Sequence, residues 1–251
     1  MSVLTLQLAG PLQSWGATAR FARRSTESAP TKSGVVGLLA AALGVARDDD
    51  AALARLAPLR FAVRIDQPGA RIRDFQTARD LDTGESMPLS ERYYLADAVF
   101  LAAVAGEDAL VARLHEALLR PVYLPYLGRR SCPPAQPVEL GVHPGDDPAG
   151  VLGAEPWRAS EWYQRRRDGE QHVTLTLLSE APASTASSGA MLRDQPLSFA
   201  PRHRRYALRP VHTSTVTVRN PRARTSRPVP ARDVPAQGMA AHDPTSHLDP
   251  A

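Results

Sequence analysis

Lysine is almost missing from this chain: of its 30 cationic residues Lys32 is the one lysine, and the rest are arginines. A ratio so uneven fits a bias in genomic base composition, although each arginine still brings a flat guanidinium fork suited to phosphates and to stacking on bases. Cysteine is as scarce. Cys132 alone cannot form an internal disulfide, which fits a reducing, cytoplasmic compartment. No cysteine pair and no tight His/Asp cluster offers a metal site, so neither metal nor cofactor is expected. No run of about 18 apolar residues occurs, which argues against a membrane span. The opening MSVLTLQLAGPLQSWG lacks the basic start and long apolar stretch of a secretory signal. Internal repeats, redox motifs and a nucleophile elbow are also missing.

A nucleotide-binding P-loop is absent by a narrow margin. Lys32 and Ser33 would suit its end, but Thr26 and Thr31 stand where its two glycines must fold round the phosphates. The ATP reading fails, and no small-molecule substrate is expected. What survives is a helix start with a lysine beside it, which still attracts anions.

The 251 residues suit one large domain or two small ones, and 43% apolar with 22% charged residues is the balance of a globular protein. A formal charge of +4 and a pI near 9.6 permit a polyanionic partner without requiring one. Leu4, Leu6 and Leu8 alternate with polar residues as a half-buried first strand. A long loop rich in glycine, proline and arginine follows, of the length that is usually functional or disordered. Residues 32–43 have a helical apolar face, with Pro30 before and Gly44 after. Gly34 and Gly37 are costly inside a helix, which makes sense if another backbone packs very close.

Further along, DDDAALARLAP reads as a short helix and LRFAVRI as a second strand. A strand near 71–77 precedes an exposed, glycine-punctuated excursion, after which YLADAVFLAAV at 94–104 is expected as one buried strand. GEDALVARLHEALLRP predicts an amphipathic helix, and VELGV near 138–142, HVTLTLLS at 172–179 and a stretch within 211–218 predict strands. With the excursion set aside, the order matches the ferredoxin-like split βαβ plan, so the expected class is α+β. The expected units are a domain over 1–145, a β-rich part over 146–218 and an Arg/Pro-rich, disordered tail over 219–251.

Two segments concentrate the candidate chemistry. The first joins Gln13, Trp15, Gly16, Arg20, Arg23 and Arg24 of the loop to Thr31, Lys32 and Ser33 at the helix start. Trp15 offers a face for a base, the arginines pair with phosphates, and the helix dipole supports an anion. The second is LPYLGRRSCPP, in which Arg129, Arg130 and Ser131 line a rigid turn. Cys132 has no histidine base nearby in sequence, so it reads as a small packed residue. His115, His172 and His203 each stand alone and assemble no acid–base pair.

LAGPLQSWG at 8–16, APTKSGVVGLLAAALGVARDDD at 29–50, YLADAVF at 94–100 and PYLGRRSCPP at 125–134 resemble the CasD family, repeat-associated subunits of type I-E CRISPR Cascade. RDFQT at 73–77 and RRYALRPV at 204–211 extend the similarity over roughly residues 1–215, and add Arg73 to the binding residues. The resemblance implies a ferredoxin-like (RRM-like) domain, an inserted thumb at about 74–93 and a small β-rich C-terminal part. It implies a non-catalytic subunit that holds the 5′ handle of CRISPR RNA (crRNA) beside the backbone subunit CasC and the large subunit CasA. Two other readings stay open: a metal-independent endoribonuclease of type I-C character, and a protein scaffold that touches RNA incidentally.

Overall fold

A computed structural model describes residues 1–16, 23–180 and 190–224. In chain order its elements begin with β1 (Ser2–Ala9), β2 (Leu12–Gln13), β3 (Arg23–Arg24), α1 (Lys32–Ala42), α2 (Asp50–Leu56) and β4 (Arg60–Gln67). β5 (Ala70–Gln76), β6 (Ser90–Ala96), β7 (Val99–Gly106), α3 (Asp108–Leu119) and β8 (Glu139–Pro144) follow. The chain continues through α4 (Pro148–Ala154), α5 (Glu161–Arg166), β9 (His172–Glu180), β10 (Ala190–Ser198) and β11 (Arg205–Arg219).

Strands β8, β1, β7 and β4 lie side by side in that order, each antiparallel to its neighbour, and α1 and α3 make the two crossovers. This is the ferredoxin-like plan expected from the order of elements. The sheet continues past β4 through β9, β11 and β10 to seven strands. β7 shows why the fold is set so firmly at its centre. All eight of its residues are buried, because both faces are covered. Phe100, Ala102 and Val104 pack under α1 and α3, while Leu101, Ala103 and Ala105 pack under Leu152 of α4.

The reading of residues 94–104 as one strand is corrected. Asp97 adopts φ 55°, a left-handed conformation that aspartate tolerates better than most residues, and it breaks the segment in two. β6, on its near side, belongs to a second sheet with β2, β3 and β5. β5 and β6 form an antiparallel hairpin from Ala70↔Ala96 to Gln76↔Ser90. Its tip, residues 77–89, is exposed and is tied by an Arg79↔Ser86 bridge and by Asp80, whose Oδ1 accepts the N–H groups of Asp82 and Thr83.

α4, α5 and β10 escaped the periodicity reading because each is short or carries glycine or proline. The bend between α4 and α5 is fastened by Arg64 and Asp66 of β4, a wholly buried ion pair at 2.7 Å. Arg64 also donates to the carbonyls of Leu152, Glu155 and Pro156. No helix among the described residues is long and apolar enough to cross a membrane.

Candidate nucleic-acid interface

The helix start does not offer the open anion seat that its sequence promises. Thr31 caps α1 by accepting the N–H of Gly34. The next N–H, that of Lys32, donates to Oδ2 of Asp194 at 2.8 Å. Asp194 is itself gripped by the Arg209 fork at 2.9 and 2.8 Å. The protein's own carboxylate therefore fills the place where a phosphate would sit. The Lys32 ammonium ends on Glu180 at 2.7 Å and is 3% exposed as a residue. Burial pushes its pKa below the ordinary value, and the pairing with Glu180 pulls the other way. Thr31 and Ser33 are buried beside it. These three residues are corrected from phosphate ligands to parts of an internal charge cluster.

Trp15 is corrected as well. It is 1% exposed, so it presents no face to a base. Its indole N–H donates to Gln13 Oε1 at 3.0 Å, and Gln13 Nε2 donates to the carbonyls of Leu8 and Ala98. Gln13 is thus used up inside the fold. The indole packs against Gly34, where an added Cβ would approach it to 2.8 Å. That explains the first helical glycine, although the neighbour is a side chain and not a backbone. Gly37 meets only the Phe199 ring at ordinary contact distance. Gly128, at φ +83°, lets the second turn close onto the carbonyl of Ser14, whose N–H donates to Leu127 O. The two candidate segments do meet, but Trp15 is the pin that joins them.

The exposed chemistry lies one layer out, at the base of the β5/β6 hairpin. β3 pairs parallel with β6, setting Arg23 by Glu91 and Arg24 by Arg92. Arg23 lies over the Tyr93 ring at 5.3 Å and donates to its hydroxyl. Arg129 lies over Tyr94 at 4.7 Å and donates to the carbonyl of Arg24 at 2.9 Å. Arg71 donates to the carbonyl of Thr26, and Arg73 stands between Glu91 and Phe75. Because successive residues of a strand face opposite sides, Arg23, Arg71, Arg73, Glu91 and Tyr93 share one face of the hairpin base, and Arg24, Arg92, Asp74 and Tyr94, with Arg129 over its ring, share the other. Arg92 Nε and Arg129 Nη1 are buried N–H groups with no partner among the described residues. A buried donor left unmade costs about 1–3 kcal/mol.

Of the expected site residues, Arg23, Arg24, Arg73 and Arg129 belong to this cluster. Gly16, Arg130 and Ser131 are exposed on the adjoining loop and turn, and Arg20 lies outside the described residues. Arg92, Tyr93 and Tyr94 were missed. The signal was present in ERYYL, where an arginine and two tyrosines follow the polar excursion directly.

Acid–base chemistry is poorly served here. Cys132 is fully buried, and that burial pushes its thiol pKa up. His115, His172 and His203 lie on α3, at the start of β9 and in the turn before β11. No group of three or more His, Cys, Asp or Glu among the described residues could hold a metal ion.

A ferredoxin-like sheet bearing a projecting hairpin with an arginine–tyrosine base defines a protein of the repeat-associated class. Residues 3–212 match the family described as CRISPR-associated protein (Cas_Cas5), and the chain belongs to the Cas5 family. It is 38% identical over 175 residues to the CRISPR system Cascade subunit CasD of Escherichia coli (strain K12), covering 62% of this chain and 78% of that protein. The resemblance read from its motifs is therefore a real kinship. Among solved structures, a chain of a CRISPR RNA-guided surveillance complex superimposes with TM-score 0.70 at 34% identity, covering 86% of this chain and 91% of that one. A second, described as a Cas protein, gives TM-score 0.63 at 36% identity over 88% and 97%.

Proposed function

We propose that this chain is a non-catalytic subunit of a Cascade-type surveillance complex. It grips the 5′ handle of CRISPR RNA across the base of its hairpin and caps the subunit backbone laid along that RNA. The reading is supported by membership of the Cas5 family and by relatives that are a Cascade subunit and part of an RNA-guided complex. One observation carries it. Arg23 with Tyr93 on one face of the hairpin base, and Arg24, Arg92 and Arg129 on the other, line both sides of the hairpin's foot with cations. A bent, single-stranded handle supplies what this surface takes, phosphate oxygens for the guanidinium groups and a base for the half-buried Tyr93 ring.

On this reading residues 1–145 form the RNA-binding domain, with the hairpin at about 74–93 as its thumb, and 146–218 the β-rich part. CasC and CasA are the neighbouring subunits, and the complex works in the cytoplasm. Metal-free RNA cleavage needs a general base and an acid, usually His, Tyr or Lys, and of these Lys32 is engaged by Glu180.

Handle-RNA affinity measured across a salt series tests the proposal. Arg23→Ala with Arg129→Ala should weaken binding and flatten log K against log salt by about 0.7 per lost phosphate contact. An unchanged slope would remove both residues from the interface. In the absence of divalent metal, a discrete cleavage product from labelled repeat RNA would instead establish the endoribonuclease.

A further inference from the structure

Helix α5 carries a second arginine-rich patch that the handle does not account for. Between Trp157 and His172 and from Arg219 to Arg224 stand seven arginines against three carboxylates. Most are spoken for. Glu161 holds Arg165 at 2.8 Å and Arg222 at 2.5 Å, Glu170 holds Arg167, Asp168 holds Arg224, and Arg158 reaches Glu155. Arg166 and Arg219 have no ion pair among the described residues. Arg166 lies over the indole of Trp162 at 5.9 Å, and the Tyr163 ring meets that indole edge-on at 5.6 Å. Even so, Trp162 remains 47% exposed, while Trp15 and Trp157 are buried at 1% and 2%.

We infer that Trp162 with Arg166 is a second contact for single-stranded nucleic acid, separate from the handle site. An exposed indole beside the Arg166 guanidinium suits base stacking backed by a cation, which tolerates any base because each has a π-face. An acidic protein segment fits less well, since the local carboxylates already satisfy most of the cations and the exposed indole would gain nothing from more. Position supports the same partner. Ser160, just before α5, donates its N–H and hydroxyl to Gln67 Oε1, and Gln67 Nε2 donates to the carbonyl of Asp97 at the hairpin's foot. The patch therefore sits at the hairpin end of the sheet, where a strand passing the handle site could reach it.

Because the other two tryptophans are buried, Trp162 reports on its own occupancy. The full chain is titrated with short uridine-rich RNA and with the matching DNA, neither carrying the handle sequence, while indole fluorescence is followed. Saturable quenching is expected, and labelled-oligomer anisotropy should show Trp162→Ala or Arg166→Ala weakening binding about ten-fold, within the range for one stacked base. Quenching by RNA alone, by DNA alone or by both supports the contact and tells which strand it serves. Arg23→Ala with Arg129→Ala should leave the quenching intact, which separates this contact from the handle site. No saturable quenching, or quenching by a polyglutamate peptide and by neither oligomer, overturns the inference. Both substitutions are at the surface, and unchanged thermal melting excludes misfolding as the cause.

Discussion

Lys32 and Asp194 lie 162 positions apart in the chain yet share a 2.8 Å hydrogen bond, and that separation explains why the helix start was misread. Local sequence showed an anion seat correctly. It could not show that β10 would bring an aspartate to fill it, or that β9 would bring Glu180 to the ammonium. Trp15 follows the same logic, since an indole beside arginines reads as a stacking platform until the fold covers it. Removing one member of a buried ion pair leaves an uncompensated charge and costs roughly 3–5 kcal/mol. Asp194→Ala, which strands the buried Arg209, should therefore lower stability by about that amount in urea unfolding, while handle-RNA affinity of the folded protein holds. Lys32 adds a pH signature. Its folded pKa is depressed below 10.5, so above that depressed value the unfolded chain binds more protons, and stability rises with pH. The wild-type protein should gain stability relative to Lys32→Met as pH climbs toward 10.5. A flat difference, or a ten-fold loss of RNA affinity in Asp194→Ala with stability untouched, would restore the phosphate-seat reading.

Among the elements, strands and helices with a clear period were legible. β1, α1, β4, α3, β8 and β9 stand close to where alternation or helical spacing placed them. Of the hairpin, β5 was legible as a strand near 71–77 and the rest only as a polar excursion, because β5 is largely exposed and no apolar alternation marks the tip. Its boundary with β7 was hidden by Asp97, whose positive φ leaves no compositional trace. The tip holds its shape through Asp80. Backbone N–H groups of Thr83 and Asp82 stabilise that carboxylate and draw its pKa below 3.8. The sign follows directly. A depressed folded pKa contributes order that is full above 3.8 and lost as pH falls through the lowered value. Carboxyl NMR titration should place the Asp80 midpoint under 3.8, with the Asp82 and Thr83 amides shifting in step. A midpoint at or above 3.8 would mean that the tip is not held by this turn.

At the level of the whole molecule, a formal charge of +4 is too small to name a partner. What matters is where the unpaired arginines collect. The seven-stranded sheet is closed on one face by α1 and α3 and partly on the other by α4, so little of it is left to read RNA as an open sheet would. On the proposed function recognition falls to the hairpin base, where β2 and β3 meet β5 and β6 with the 125–134 turn beside them. The motif GPLQSWG marks the family for a structural reason: its Gln13, Ser14 and Trp15 are buried and tie the loop to β1, to Ala98 before β7 and to the 125–134 turn.

The most direct measurement is photocrosslinking of handle RNA carrying 4-thiouridine at successive positions, in the complex purified with this chain. Adducts are predicted on the peptides holding Arg23–Arg24, Arg92–Tyr94 and Arg129–Ser131, with the RNA left uncut. Adducts confined to the segment around Lys32, or none on this chain at all, would contradict a handle held at the hairpin base.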